Sequence, residues 1–586
     1  MYFASISLVW LISFLICSYF LKNKIFQDNI LSGVIVIFSI SLILTFFIKV
    51  LFYFFDFNLN FILFSVTYFF FLVLLYVSLK KSFNKTYNIN YYGLIFLILF
   101  IFSSLLVLLD NSVSFTHWDA VVSWNRWAIE LSNSSYSPYP VLYPILWPSI
   151  WSLIYELQGS IEFEFIAKSV LLICFLIFYL SLYVYFINVS KFSALLIFLL
   201  VHLLYNHTIE YIVSGYMDQP VAILICSSLL LLASFLKKEI NKNNFTLVAS
   251  LLVLSLGTLT KQPALMISIF SLVYLLVFYF KNIINYKFFI FSIVIIFFPF
   301  FIFVVFHQIN LDSEMNFFQD HFLNYNTISI RDAVYYRSLV FNTINIFYEK
   351  GGLMYIFAFI FPYFGTFFIK NKQLKFLNYF LLFIILIGFI IYANCCSYEI
   401  RNSYWLLMIC IVAVANCFSD FNLNLNSINR ILENKIFEIK LFKTLFLFST
   451  LLFLISFLPN LNSGFVINKT IKEKKSLGGE ATALSLFNEL ENEQNCYKIV
   501  AAQQLIKFNF HLKKYSKLIE RTSATNLGQF LNKEILRSEK CNTYWVFYDD
   551  IFNEKKYVPK FNSLLESGKI QKIDKNLFKI EKSTVW

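Results

Sequence analysis

The stretch FFIFSIVIIFFPFFIFVVF, residues 288–306, decides the fold class. It carries no charge, and its length matches the roughly 20 apolar residues that an α-helix needs to cross a bilayer. The whole chain is similar in character, with 59% hydrophobic and 14% charged residues and a mean hydropathy of +0.69. An average soluble domain has roughly 25% charged residues. The sequence therefore predicts an integral membrane protein whose spanning segments are helices, which satisfy their own backbone hydrogen bonds in lipid.

Apolar runs of this kind recur from the first residue to Pro459. The predicted spans lie near residues 2–21, 30–54, 59–79, 92–110, 162–187, 193–206, 211–236, 245–260, 264–280, 288–306, 352–369, 376–394, 402–417 and 444–459. The span at 193–206 is short and the pair flanking Lys261 is tight, so we expect about 12–14 transmembrane helices. The first run has no basic region before it and no small-residue cleavage site after it, which predicts a permanent helix and not a signal peptide.

The basic residues predict the orientation of the bundle. One set of alternate loops holds most of them: Lys22, Lys24, Lys80, Lys81, Lys85, Lys191, Lys237, Lys238, Lys242, Lys281, Lys287, Lys370, Lys372, Lys375, Arg430, Lys435, Lys440 and Lys443. The opposite loops hold Arg126, Lys261, Arg331, Arg337, Lys350 and Arg401. The richer side should be cytoplasmic. The N-terminus, the loop at about 111–161 and the C-terminus should then lie outside the cytoplasm.

The composition divides the chain into a membrane domain, residues 1–460, and a soluble C-terminal domain, residues 461–586. In the latter, CYKIVAA (496–502) and TYWVFYDD (543–550) are typical of buried strands, and ATALSLFNELENE (481–493) has helical spacing, which together predict a small α/β unit. Cys496 and Cys541 could pair outside the cytoplasm. The net charge of +13 is mostly lysine that sets topology plus a basic tail, so it does not indicate nucleic-acid binding.

Charged residues and tryptophans are concentrated in THWDAVVSWNRWA, residues 116–128. In a helix, Asp119, Ser123, Arg126 and Glu130 would share one narrow face, with the tryptophans elsewhere. Two interpretations are open. The stretch could be an interfacial helix with a solvated stripe and an aromatic belt, or it could be part of a functional site.

Further polar islands, meaning short polar stretches within the apolar sequence, follow on the predicted outer side. YSPYPVLYPILWPSIW (136–151) has too many prolines for a spanning helix and predicts an extended segment and then a short helix at the outer surface. GYMDQP (215–220) places Asp218 inside an apolar span, where carboxylates are costly and usually functional. LTKQPA (259–264) and YEIRNSYW (398–405) add Lys261 and Arg401 at outer turns. Two carboxylates and two cations are thus predicted on one side of the bundle.

The motifs HWDAVVSWNRWA, YPILWP, SGYMDQPVAILI and GTLTKQPALM, in this order, resemble those of bacterial members of the glycosyltransferase C superfold. These are membrane enzymes that use polyprenyl-phosphate sugars, and the chain is similar to the protein O-mannosyltransferase and lipid A aminoarabinose transferase relatives. The similarity covers roughly residues 90–410. One departure is that the first large outer loop here follows four predicted spans instead of one.

The resemblance implies that Asp119 is catalytic, as the aspartate of that loop. An acceptor hydroxyl that attacks an anomeric carbon needs a general base, and a leaving phosphate needs cations, which Lys261 and Arg401 could supply. Asp218 could orient the acceptor, hold the sugar, or complete a divalent-metal site with Asp119. Attack opposite the phosphate would invert the anomeric configuration. The predicted substrate-binding residues are His117, Trp118, Arg126, Glu130 and Tyr139.

The expected partners are a polyprenyl-phosphate sugar donor, membrane lipid, and an acceptor that is an envelope glycan such as lipopolysaccharide, a lipid or a protein. The expected location is the bacterial inner membrane, with the active site on the periplasmic side. Two other functions compete. An O-antigen-type ligase or polymerase would depend on His321, Arg331 and Arg337 in the loop 318–338. A lipid-linked sugar transporter or flippase would place polar residues nearer the bilayer midplane.

Overall fold

The structure is a computed structural model, and it describes part of the chain. The described residues are 30–55, 115, 120–134, 136, 143–158, 164–204, 215–237, 244–310, 355–395, 400–420, 486, 489–490, 493–494, 496–501, 518–523, 527–531, 541–547, 551–552 and 555–581. The predicted spans at 2–21, 59–79, 92–110 and 444–459 lie outside them, as does the loop 318–338 with His321, Arg331 and Arg337.

The described part of the membrane domain is helical. Its helices are α1 (Ile30–Phe55), α2 (Asn125–Ser132, entered through a π-helical turn Ala120–Trp124), α3 (Leu146–Gln158), α4 (Glu164–Ser169), α5 (Leu172–Asn188), α6 (Lys191–Leu204), α7 (Asp218–Lys237), α8 (Asn244–Thr258), α9 (Gln262–Phe280), α10 (Tyr286–Ile309), α11 (Tyr355–Phe368), α12 (Lys372–Cys395) and α13 (Tyr404–Cys417, preceded by a 3-10 turn Ile400–Ser403).

Two predicted spans differ from these bounds. The span at 162–187 is interrupted at Val170 and Leu171, between α4 and α5. The span at 211–236 was placed too early, since residues 215–217 are not helical and α7 begins at Asp218. Within the described residues, the other predicted spans are confirmed as helices.

Five of the described helical segments are long and apolar enough to cross a membrane. Among them α7 is central, because every residue of its most apolar 18-residue window is buried, whereas only 22% of the corresponding window of α10 is buried. The outer faces of the peripheral helices carry large exposed side chains such as Phe280, Phe301 and Phe364. In a bilayer these faces would contact lipid, and α7 would contact only protein.

Small residues let the central helices approach closely. Ser228 of α7 and Ser250 of α8 each donate a hydrogen bond to the other's backbone carbonyl, at 2.9 and 2.8 Å. Near the end of α8, a Cβ atom on Gly257 would lie 2.8 Å from the Cβ of Ala264 in α9. Small side chains and interhelical hydrogen bonds hold membrane helices together where lipid offers no hydrophobic driving force.

The bundle has two ends that the polar residues define. We call the end where α7 and α9 begin the Asp218 end. The opposite end, where α7 and α13 finish, is the Lys237 end, and there Asp420 accepts a hydrogen bond from Lys237 Nζ at 3.0 Å. The 20 residues of α7 separate the ends by about 30 Å. The predicted separation of Asp218 from Lys237 is confirmed, and the assignment of the Asp218 end to the outer face stays a prediction.

The C-terminal domain contains a five-stranded sheet of order β2-β1-β3-β5-β4. The strands are β1 (Tyr497–Ala501), β2 (Leu518–Ser523), β3 (Asn542–Val546), β4 (Gln571–Asp574) and β5 (Leu577–Ile580), with helices α14 (Leu527–Phe530) and α15 (Val558–Glu566). β1 pairs in parallel with β2 and β3, and β5 runs antiparallel to β3. The predicted α/β domain and its two predicted strands are confirmed.

Cys496 and Cys541 form a disulfide, so the pairing that the sequence left open is present in the structure. The bond joins the residue before β1 to the residue before β3, where Asn542 also donates a backbone hydrogen bond to Cys496 at 3.0 Å. Disulfides persist in oxidising compartments, which agrees with the predicted location of this domain outside the cytoplasm.

Candidate active site at the Asp218 end

Asp218 and Lys261 form an ion pair. The ammonium group of Lys261 donates to Asp218 Oδ1 at 2.6 Å, and both side chains are largely buried, at 13% and 7% exposure respectively. The prediction that Asp218 lies inside a span is wrong, since Asp218 is the first residue of α7. Pro220 could have indicated this start, because proline is tolerated in the first helical turn and disrupts a helix interior. At a helix N-terminus the carboxylate is also favoured by the helix dipole.

Lys261 stands in the turn between α8 and α9, and α3 holds this turn in place. The backbone N–H of Leu146 donates to the carbonyl of Leu259 at 3.2 Å, and Trp147 Nε1 donates to Thr260 Oγ1 at 3.1 Å. Both contacts come from the start of α3, in the proline-rich island. The predicted short helix in this island is confirmed, and it is enclosed by protein, since residues 146–155 are all buried.

Arg401, although distant in sequence, contacts the motif GYMDQP (215–220). Its guanidinium carbon lies 4.0 Å from the ring centroid of Tyr216, two residues before Asp218. A guanidinium over an aromatic face is attracted by the ring quadrupole, which fixes the orientation of the charge. The two predicted phosphate-binding cations, Lys261 and Arg401, therefore both contact the short segment Tyr216–Asp218.

The described part of THWDAVVSWNRWA (116–128) joins this group through aromatic and backbone packing. Tyr143 stacks on Trp124 with ring centroids 5.0 Å apart, and Lys261 Nζ lies 5.4 Å from the Tyr143 centroid. Gly215 adopts φ +91°, and a Cβ atom there would lie 2.6 Å from Ala120 Cβ and 2.7 Å from Phe115 Cδ1. The residues that flank Thr116–Asp119 thus both contact the residue three positions before Asp218. His117, Trp118, Asp119 and Tyr139 themselves lie outside the described residues.

Arg126 and Glu130 form an ion pair at 2.7 Å on α2, as their i, i+4 spacing allows. Glu130 is only 3% exposed, and Trp124 and Trp127 are fully buried. The interpretation of this stretch as a solvated stripe with an aromatic belt is therefore wrong, because protein encloses both the glutamate and the tryptophans. The other interpretation, a part of a functional site, is the one that this burial favours.

Three buried polar residues near this end were not among the predicted site residues. Glu164 and Lys168 are 3% and 2% exposed, and their i, i+4 spacing inside the predicted span 162–187 was a usable signal. Gln219 is fully buried, and neither of its amide atoms has a hydrogen-bond partner among the described residues; the same holds for Asp218 Oδ2. The repeated pattern of a charged residue followed by Gln-Pro, at Asp218 and again at Lys261, could have indicated Gln219.

The described side chains do not favour a divalent-metal site. Asp218 already engages Lys261 through one oxygen, and no group of three His, Cys, Asp or Glu side chains in the described ranges could hold a metal ion. Asp119, the other expected ligand, lies outside those ranges. We therefore derive no chemical step through a metal.

Two crystal structures of ArnT from Cupriavidus metallidurans are similar to this chain. The structure bound to undecaprenyl phosphate gives a TM-score of 0.49 at 11% identity, and the apo structure gives 0.48 at 13%. Each comparison covers 83% of this chain and 98% of the ArnT chain. No protein-family model matches the sequence, and no curated protein matches it. Because both TM-scores are below 0.5, we rest no conclusion on this likeness.

Proposed function

We propose that this protein is a membrane glycosyltransferase that moves a sugar from a polyprenyl-phosphate donor to an acceptor outside the cytoplasm. The observation that carries the proposal is the convergence of four distant polar islands on one end of the bundle. Their contact point is the segment Gly215–Asp218, which touches Lys261, Arg401 and the residues flanking Thr116–Asp119. The sequence resemblance to lipid-phosphate-sugar transferases supports the same reaction class.

Lys261 and Arg401 would bind the phosphate. An ammonium group has three N–H donors, and the bond to Asp218 occupies one of them, so two remain for phosphate oxygens. The N-termini of α7 and α9 meet at the same place and add favourable partial positive charge. Asp218 then acts mainly as a positioning residue that holds Lys261, while its second oxygen and the Gln219 amide can accept and donate hydrogen bonds to sugar hydroxyls.

Asp119 would be the general base. It takes the proton of the acceptor hydroxyl while the hydroxyl oxygen forms a bond to the anomeric carbon. The bond between that carbon and the phosphate oxygen breaks, and its electron pair leaves with the phosphate, whose growing charge the two cations stabilise. Attack from the face opposite the phosphate inverts the anomeric configuration. Inversion is therefore an expected property of the product.

The orientation of the site is part of the proposal. The bias of basic residues toward the other loops supports an outer location for the Asp218 end, and the Cys496–Cys541 disulfide supports an outer location for the C-terminal domain. The donor would then be a lipid exposed on the periplasmic side, and the acceptor would be an envelope glycan, a lipid or a protein.

The test is transfer of a labelled sugar from polyprenyl phosphate in proteoliposomes, with a panel of envelope acceptors, for wild type and Asp119→Asn. We expect wild type to label an acceptor covalently and the variant to lose turnover while it still binds donor. Full activity in Asp119→Asn, with losses in His321, Arg331 or Arg337 variants, would instead support a ligase or polymerase. Movement of intact lipid-linked sugar across the bilayer without covalent transfer would support a transporter.

A further inference from the structure

One buried carboxylate holds both ends of the segment that contains Asp119. Glu164 Oε2 accepts a hydrogen bond from the backbone N–H of Phe115 at 2.6 Å, and Oε1 accepts one from Asn125 Nδ2 at 3.1 Å. Phe115 and Asn125 bracket residues 116–124. The two oxygens of a single carboxylate therefore bind the two residues that flank this segment.

Further contacts hold the two residues that Glu164 binds. Glu164 is 3% exposed, and it lies at the start of α4, away from Lys261 and Arg401 in sequence. The ring of Phe115 packs on Trp151, with ring centroids 4.6 Å apart, and contacts Gly215. Asn125 Oδ1 accepts a hydrogen bond from Tyr155 at 2.5 Å. Each residue that Glu164 binds is thus also held by α3 or by the segment before α7.

We propose that Glu164 is a positioning residue that fixes the Asp119 segment against the donor site. This inference rests on the proposed function, in which Asp119 is the general base. A catalytic group must be held close to its productive geometry, and a misplacement of about 1 Å can lower the rate by about 100-fold. A short backbone-to-carboxylate bond at Phe115, four residues before Asp119, supplies such control. In this role Glu164 acts through Asp119 and not on the substrate.

Glu164→Gln tests the proposal, because glutamine has the same size but presents an N–H₂ group to one of the two donors. We expect kcat for sugar transfer to fall roughly 10- to 100-fold, with KM for the donor unchanged within about a factor of two, because Lys261 and Arg401 are untouched. Glu164→Asp keeps both acceptor oxygens with a shorter reach and should recover part of the loss. The matched control is Glu156→Gln, which removes another partly buried carboxylate that pairs with Lys49 and contacts neither end of the segment.

The decisive readout is the combination with Asp119→Asn. If Glu164 acts through Asp119, adding Glu164→Gln to Asp119→Asn changes the residual rate by less than about twofold, because coupled residues are non-additive. A further drop as large as in the wild-type background would show general structural damage and overturn the proposal. So would full kcat in Glu164→Gln.

A milder variant keeps the test usable if Glu164→Gln does not fold. Tyr155→Phe removes only the hydroxyl that holds Asn125, and we expect a smaller fall in kcat, roughly three- to tenfold, again at unchanged donor KM. An unchanged kcat in Tyr155→Phe would overturn the proposal. If Asp119→Asn is active, both the proposed general base and this inference are wrong. If Asp119→Asn is inactive but Glu164→Gln is fully active, only this inference is wrong.

Discussion

The two ends of the bundle both bury polar side chains, but the buried side-chain amides at the two ends differ in their hydrogen bonding. At the Lys237 end, Asn416 donates to Asn378 at 3.1 Å and accepts from Tyr185 at 2.9 Å, and Asn378 donates to Thr366 at 2.9 Å. At the Asp218 end, Asp218 Oδ2 and the Gln219 amide have no hydrogen-bond partner among the described residues.

On the proposed function, this difference distinguishes buried amides that stabilise the protein from one that serves its chemistry. A buried amide without a hydrogen-bond partner costs free energy, so Gln219 is better explained by a ligand than by stability. A closed network such as that of Asn378 and Asn416 joins helices. We therefore expect substitutions at the Lys237 end to change stability and those at the Asp218 end to change catalysis.

The largest effect is expected from Lys261→Gln. It removes the cation closest to Asp218, so we expect transfer activity to fall by about 10² to 10³. It also leaves Asp218 buried without its partner, which should lower the free energy of unfolding by about 3–5 kcal/mol. Activity per folded molecule and thermal unfolding in detergent measure the two effects. Lys237→Gln, at the opposite end, is the matched control and should keep its activity.

The double variant Asp218→Asn/Lys261→Gln separates the two roles of Lys261. Removing both charges should restore much of the stability, because no uncompensated carboxylate remains. The activity should stay low, because the phosphate still lacks its cation. Wild-type activity in the double variant would show that Lys261 serves only to neutralise Asp218.

An intermediate effect is expected from replacing one amide at each end by leucine. Gln219→Leu should raise the donor KM by about tenfold while leaving stability unchanged or higher, because it removes an unpaired buried amide. Asn416→Leu should lower the free energy of unfolding by about 2–4 kcal/mol, because it leaves the Tyr185 hydroxyl and Asn378 Oδ1 without the hydrogen bonds that they make with Asn416. The donor KM should stay constant. Donor titrations and thermal unfolding of the pair measure this. The reverse pattern would refute the distinction between the ends.

The smallest effect concerns pH. Burial opposes ionisation of Asp420, but hydrogen bonds from Lys237 and the backbone N–H groups of Lys370 and Asn371 outweigh it, so the pKa of Asp420 is lowered. A lowered folded pKa stabilises the fold above the unfolded value of about 3.9, and this stabilisation is lost as pH falls through the folded pKa. The free energy of unfolding of the wild type should exceed that of Asp420→Asn by about 1 kcal/mol at pH 7. This difference should disappear toward pH 3. A gap independent of pH in thermal unfolding would contradict this account.

The sequence predicted those features that depend on local composition. Apolar runs predicted the described membrane helices, and strand-like segments predicted β1 and β3. The common location of Asp218, Lys261 and Arg401 also followed, because alternate loops lie on the same side of a membrane. Residue spacing could not reveal which oxygen of Asp218 accepts from Lys261.

Glu164 shows the limit most clearly. Its partners Phe115 and Asn125 lie 49 and 39 positions away in sequence. No helical or strand periodicity relates residues at that separation, so only tertiary packing brings them together. The start of α7 at Asp218 could have been predicted, because proline is favoured in the first turn of a helix and Pro220 follows Asp218. The surrounding apolar run instead suggested that the helix began earlier.

Photoaffinity labelling tests the central claim most directly. A polyprenyl phosphate with a diazirine next to the phosphate is irradiated with the wild-type protein in proteoliposomes, and the labelled peptides are mapped by mass spectrometry. We predict labelling around Tyr216 and Lys261, with competition by unmodified polyprenyl phosphate and loss of the label in Lys261→Gln. Labelling confined to the Lys237 end, near Lys370 and Asp420, would contradict the assignment of the Asp218 end as the donor site.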